Sequence, residues 1–260
     1  FHAALAAESA SGLAASDIYV SQATITLDGA VDADRLHTAA RAVVSRHPAL
    51  RTAFTTSDTG DLVALLDAGA EPGWQVDDLI DLEPGLQSVR LAGIRDRQRA
   101  RPFSLGDAPL LRFGLVRMAP ESFALVVTVH HIVVDGWSMP LLLRDLLVLY
   151  ATHGSDAALP DAPSYRDFLV WLSNRDQDAA RNAWSQAFEG RAHASLLAPA
   201  AATSVDPSPP RRAALDLEPE RWARITQCAN DAGVTVNTVV QSLWAMLLGR
   251  LTPGDDATRG

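Results

Sequence analysis

The chain is poor in cysteine, in long apolar runs and in positive charge, and each shortage removes a class of protein. Cys228 is the single cysteine among 260 residues, so neither an internal disulfide nor a cysteine-rich zinc site can form. Beside Ile225 and Ala229 in a helical pattern, it is expected as a buried or half-buried thiol. No apolar stretch reaches the length of a membrane span, since even 123–134 is interrupted by Thr128, His130 and His131. No membrane partner is expected. Lys and Arg number 22 against 31 Asp and Glu, giving a net charge of -9, which argues against nucleic acid or an anionic membrane as the main partner. No secretory signal is visible, so a cytoplasmic location is expected. Both ends read as cuts, because the chain opens Phe1-His2 and stops at Thr258-Arg259-Gly260. Internal repeats, a Gly-x-Ser-x-Gly elbow, a His-Glu-x-x-His pair and a phosphate loop are all missing.

What is present is an ordinary globular composition, 48% hydrophobic and 20% charged, long enough for one large domain or two smaller ones. Alternation over 18–27 predicts a half-buried strand. Asp32 or Asp34 can cap a helix whose apolar face is Leu36, Ala39, Ala40, Val43 and Val44, and Pro48 ends it near Arg46-His47. A strand pair follows at 50–55 and 62–66, then a helix over 86–100, then strands at 110–118 and 123–134. The second of these is almost continuous in Val and Leu, as suits a strand covered on both faces. Ser138 is a plausible N-cap for a helix over 139–150. Further helices are predicted at 165–172 and 179–188, an Ala/Pro/Ser-rich linker at 191–210, a strand at 212–217, and helices at 218–232 and 235–248. The sum is a mixed α/β sandwich: a first lobe over 1–190, the linker 191–210, and the start of a second lobe over 211–260.

One cluster carries chemistry, His130-His131-Ile132-Val133-Val134-Asp135-Gly136-Trp137-Ser138. Successive strand residues face opposite ways, so His130 and His131 cannot share a cavity, and the inward one needs an internal hydrogen bond. The same divergence makes a two-histidine metal site poor, and no metal is expected. Asp135, read as the end of an apolar strand, needs a cation to offset its burial. Gly136 leaves room where the chain turns. A histidine can take a proton from an amine near neutral pH, which fits acyl transfer without metal or enzyme nucleophile.

The nonapeptide resembles the HHxxxDG signature of the condensation-domain superfamily, in the HHxxxDGWS form of non-ribosomal peptide synthetases. Other matches come in order: Phe1-His2-Ala3, then Arg46-His47-Pro48-Ala49-Leu50-Arg51-Thr52-Ala53-Phe54 for RHxxLRTxF, then Tyr165-Arg166-Asp167-Phe168-Leu169-Val170-Trp171 for YxDFxxW. Ala183-Trp184 and the stretch from Thr235 to Leu251 with Gly254-Asp255-Asp256 follow. The resemblance implies a chloramphenicol acetyltransferase-like fold, with one complete lobe and the beginning of a second. It implies peptide-bond formation between aminoacyl or peptidyl groups held as thioesters on donor and acceptor carrier proteins, with an adenylation domain adjacent. The 4'-phosphopantetheine sits on those carriers, and no cofactor binds this chain.

By the same resemblance, His131 acts as general base on the acceptor amine or positions it. His130 and Asp135 are mainly structural, with Asp135 paired to Arg46 or, second, to Arg51. Gly136 lines the passage to the reacting carbonyl, while Trp137 and Ser138 shape the helix start behind it. Tyr165, Phe168, Trp171 and Trp184 are expected in the core, and His37 and His153 at the surface. Val133-Val134 and Met139-Pro140 lean toward a donor of D configuration. An epimerisation domain and a catalytically silent recruitment domain are the alternatives within the fold. The absence of later second-lobe motifs predicts that this chain alone does not turn over.

Overall fold

The computed structural model describes residues 19–190 and 214–252. The match at Phe1-His2-Ala3, the 191–210 segment and Gly254-Asp255-Asp256 lie outside them. The chain separates into two compact units, residues 1–174 and 175–260.

The first unit is built on a four-stranded sheet. Its strands are β1 (Val20–Asp28), β4 (Gly73–Asp78), β5 (Leu111–Ala119) and β6 (Ser122–His130), in spatial order β1-β6-β5-β4. β6 pairs antiparallel with both neighbours, and β4 runs parallel to β5. A separate hairpin joins β2 (Thr52–Thr56) to β3 (Leu62–Leu66). Helices α1 (Ala33–Arg46) and α3 (Ser138–Ala151) cover one sheet face, and α2 (Pro84–Ala100) covers the other. On the first face Leu36, Ala39 and Val43 meet Phe113, Leu125 and Val127, with Leu142, Leu146 and Leu149 alongside. On the second, Ile94 packs on Val116 and Ala124. With both faces covered, β5 and β6 are buried along most of their length, which is why they read as continuous apolar runs. The mixed α/β sandwich expected from the sequence is observed.

Asp32 is the residue that caps α1, its carboxylate accepting from the Arg35 N–H at 3.0 Å. Several boundaries differ from expectation. Leu50 falls in a short 3-10 turn, Pro48–Arg51, and the strand begins at Thr52. β4 was not expected, because the alternation of Trp74 and Val76 with polar residues spans only a few positions; the neighbouring strand β5 supplies its ladder. β6 stops at His130 instead of Val134, where its ladder partner on β1 is Val20, the first residue of that strand. Of the strand expected over 212–217, residues 212–213 lie outside the described set, and Ala214 to Leu217 are irregular; no described strand pairs with them.

Helix α4 (Tyr165–Ser173) ends the first unit. Tyr165, Phe168 and Trp171 are exposed rather than buried. Both faces of the sheet are already taken, and the three rings stack on one another instead, at 5.6 and 5.7 Å. The second unit holds α5 (Gln177–Ala187), α6 (Pro219–Asp231) and α7 (Val236–Leu251). Trp184 is likewise exposed and stacks on Phe188 at 5.7 Å. Cys228 is exposed on α6, where Ala229 is the buried residue. Gly233, at a φ of 65°, lets the chain leave α6 and turn into α7. Among the described residues no single helix is long and apolar enough to cross a membrane.

A buried polar network fixes how α2 sits on the sheet. The Gln22 side-chain amide donates to Thr128 Oγ1 at 2.9 Å and to the Arg95 carbonyl at 2.9 Å, and Thr128 donates to Gln98 Oε1 at 3.1 Å. Gln98 reaches Thr128 because β5 carries Gly114, where an added Cβ would collide with Gln98 Nε2. Gly114→Ala is expected to displace Gln98 and cost about 1–3 kcal/mol through the lost buried hydrogen bond. In urea unfolding, the Gly114→Ala/Gln98→Ala double variant should lose less stability in total than the sum of the two single changes.

Candidate functional site

The histidine segment begins where the sheet ends. His130 is the last residue of β6 and is 1% exposed. Its N–H donates to the Leu110 carbonyl at 3.0 Å. Its ring lies against Tyr19 and Phe103, and Nδ1 accepts the Ile132 N–H at 3.1 Å. His131 is exposed, with its N–H donating to the Tyr19 carbonyl at 2.7 Å. The two rings therefore diverge, His130 inward and satisfied, His131 outward, as strand alternation predicts. Val134 returns to the core at 6% exposure, with Val133 packed against the same cluster. His131 thus stands on a turn anchored by a buried residue on either side.

Asp135 differs from expectation. It is exposed, and among the described residues it pairs with no arginine. Because β6 ended at His130, Asp135 lies in a loop where water already solvates it, and no cation is needed. Its Oδ1 instead accepts from the Ser138 hydroxyl at 2.7 Å, the Ser138 N–H at 2.7 Å and the Trp137 N–H at 3.1 Å. The capping role expected of Ser138 belongs to this carboxylate, which satisfies open N–H groups where α3 starts. The Ser138 hydroxyl and N–H lead in holding the carboxyl below its usual range; slight burial opposes, and the Trp137 N–H and the charge on His131 add smaller pulls. Gly136 is exposed with nothing within 4 Å of where a Cβ would stand, and Trp137 is 88% exposed.

Arg46 lies elsewhere, in a cluster centred on Asp145, a residue that sequence reasoning missed. Asp145 sits on the buried face of α3 at 1% exposure. Its Oδ2 meets His47 Nε2 at 2.9 Å and Arg46 Nε at 3.5 Å, and its Oδ1 accepts from Arg144 Nε and a terminal nitrogen at 2.9 and 2.7 Å. Arg46 also pairs with Asp156 at 2.9 Å and donates to the Pro160 carbonyl. Burial pushes the Asp145 carboxyl upward, but Arg144 and His47 outweigh it, so the acid titrates below its ordinary value. Arg51 is half-buried, its Nε without a hydrogen-bond partner. The available signal for Asp145 was one acid among Leu142, Leu146 and Leu149, two turns of an apolar helical face. His37, expected at the surface, is half-buried and stacked on Trp74 at 4.9 Å. His153 is exposed.

The condensation-domain model matches residues 11–260. The chain belongs to the condensation-domain family. It is 28% identical to the chondramide synthase of Chondromyces crocatus over 249 residues, covering 94% of this chain and 6% of that protein. To bacitracin synthase 3 of Bacillus licheniformis it is 28% identical, covering 94% and 4%. Among solved structures it resembles SgcC5 of Streptomyces globisporus, with a TM-score of 0.72 and 23% identity over 89% of this chain and 54% of that one. The first condensation domain of the calcium-dependent antibiotic synthetase gives 0.69 and 24%, covering 94% and 57%. The chloramphenicol acetyltransferase-like fold expected from the motifs is therefore the fold observed. The chain spans about a twentieth of those synthetases and about half of those solved chains.

Two outcomes follow from the ion cluster and the turn. Asp145→Asn leaves Arg46, Arg144 and His47 facing a neutral amide and is expected to cost about 3 kcal/mol in denaturant unfolding. The sign in pH is set by the lowered acid: the contribution of Asp145 is complete above the unfolded value of about 4 and is lost as pH falls through the lower folded value. The stability margin of wild type over Asp145→Asn should therefore narrow below about pH 4. Asp135→Ala should lower stability by about 1 kcal/mol through the lost cap, and Asp135→Asn, which keeps an acceptor oxygen, by less.

Proposed function

We propose that the chain contributes the histidine-bearing part of a condensation domain that forms peptide bonds between carrier-bound thioesters in non-ribosomal peptide synthesis. One observation carries the reading: in a chain of this family, His131 is held exposed on a turn whose neighbours, His130 and Val134, are buried. The acceptor amine attacks the donor's thioester carbon; the new C–N bond forms, the C–S bond breaks, and the phosphopantetheine thiol leaves. The amine must lose a proton along the way, and His131 is the side chain suited to take it or to hold the amine while it is lost. Gly136, with no side chain at the same turn, leaves space for the approaching acyl group. Asp135, Trp137 and Ser138 serve the turn and the start of α3. Arg46 serves the Asp145 cluster, with Arg51 beside it in sequence.

On this reading the partners are donor and acceptor carrier proteins and a neighbouring adenylation domain, in a cytoplasmic synthetase. The phosphopantetheine belongs to the carriers. Holding the two thioesters together supplies most of the acceleration, several kcal/mol by orientation, and proton transfer adds a smaller share.

The test uses the complete synthetase module with both carriers loaded, following the dipeptidyl thioester by mass spectrometry. Wild type should make dipeptide, and His131→Ala should lose on the order of 10²- to 10⁴-fold in rate. Undiminished product from His131→Ala would refute the role of His131. Deuterium exchange at the substrate α-carbon without dipeptide would point to epimerisation instead.

A further inference from the structure

Arg112 is a buried cation that the reaction above does not use. It lies on β5 at 7% exposure, and among the described residues it forms no ion pair. Its Nε has no hydrogen-bond partner, and a terminal nitrogen donates to the Arg101 carbonyl. Burial first, and then the charge of Arg101, lowers its pKa to about 10. A guanidinium held this way is costly, and its contact besides the Arg101 carbonyl points to what it does. The guanidinium carbon lies 3.8 Å above the centre of the Phe103 ring, a contact that desolvation strengthens.

Phe103 in turn meets the His130 ring edge to face, with centroids 6.3 Å apart and planes at 87°. The sheet register brings the three together. Arg112 stands opposite Thr128 on β6, and His130, two residues further on, faces the same way. Arg112 and His130 are thus diagonal neighbours across the two strands. At the far end of this series of contacts, His130 Nδ1 accepts the Ile132 N–H. That bond requires an unprotonated Nδ1, hence the Nε2–H tautomer, and it shapes the turn that presents His131.

We propose that Arg112 and Phe103 are positioning residues for the His131 turn, acting through His130. The guanidinium pins the Phe103 ring, and that ring holds the His130 imidazole in the orientation that receives the Ile132 N–H. The proposal rests on the reading of His131 given above and names the residues that keep that side chain in place.

Rates are measured on the complete module, and the ring state by ¹⁵N NMR of histidine-labelled protein, with His130 assigned through His130→Gln. Phe103→Leu and Arg112→Met should each lower kcat for dipeptide formation about 10- to 100-fold with little change in KM. Both should also move the His130 nitrogens off the Nε2–H tautomer. Phe103→Tyr and Arg112→Lys, which keep the ring and the cation, should restore rate and tautomer. A folded Phe103→Leu protein with the wild-type tautomer would overturn the proposal, whether or not Arg112→Met folds. Loss of rate with an unchanged tautomer in either variant would overturn it as well. Turnover that survives His131→Ala would sink the functional reading alone, because the tautomer shift in Phe103→Leu is read without it.

Discussion

The position of the histidine turn depends on where the hydrogen-bond ladder between β1 and β6 runs out. Val20 is the first residue of β1 and faces His130, the last of β6. Up to that point the backbone is paired and both sheet faces are covered, so side-chain direction is dictated by the pleat. One residue later, among the described residues, no strand lies opposite, and the chain turns. That leaves His130 buried with its ring satisfied and His131 in solvent, its N–H still held by the Tyr19 carbonyl.

Two further constraints keep that turn in register with the helices. Val134 re-enters the core immediately after it, and the Asp135 carboxylate ties Trp137 and Ser138 into the first turn of α3. Further along α3, Asp145 binds Arg46 and His47 at the end of α1. An acid so buried is tolerable because three cationic or hydrogen-bonding groups surround it. The two helices that share one sheet face are therefore joined by charge as well as by Leu and Val contacts, so α3 cannot slide without breaking both.

Much of this was legible from residue order. The α1 face of Leu36, Ala39, Ala40, Val43 and Val44 was read correctly because helical spacing and the Pro48 stop are local. The divergence of His130 and His131 followed from the two-residue period of a strand. The signature through Ser138 was visible as a motif. What failed did so for non-local reasons. β4 is a strand because β5 lies beside it, a fact absent from Gly73 to Asp78 themselves. The arginine that the family resemblance implies for Asp135 is not its partner; with the strand ending at His130, the carboxylate is exposed and caps a helix. Tyr165, Phe168 and Trp171 have core spacing, yet the sheet had no free face for them.

The sequence by itself determined the apolar face of α1, the opposite facing of His130 and His131, and the family to which the motif belongs, because each depends on residues within a few positions of one another. The tertiary structure alone decided the partners of the charges: Arg46 with Asp145, 99 residues away in the chain, and Arg112 over Phe103 on the same face as His130. Charge pairing is decided by which buried groups are left facing each other once the sheet register is set. No local pattern carries that register.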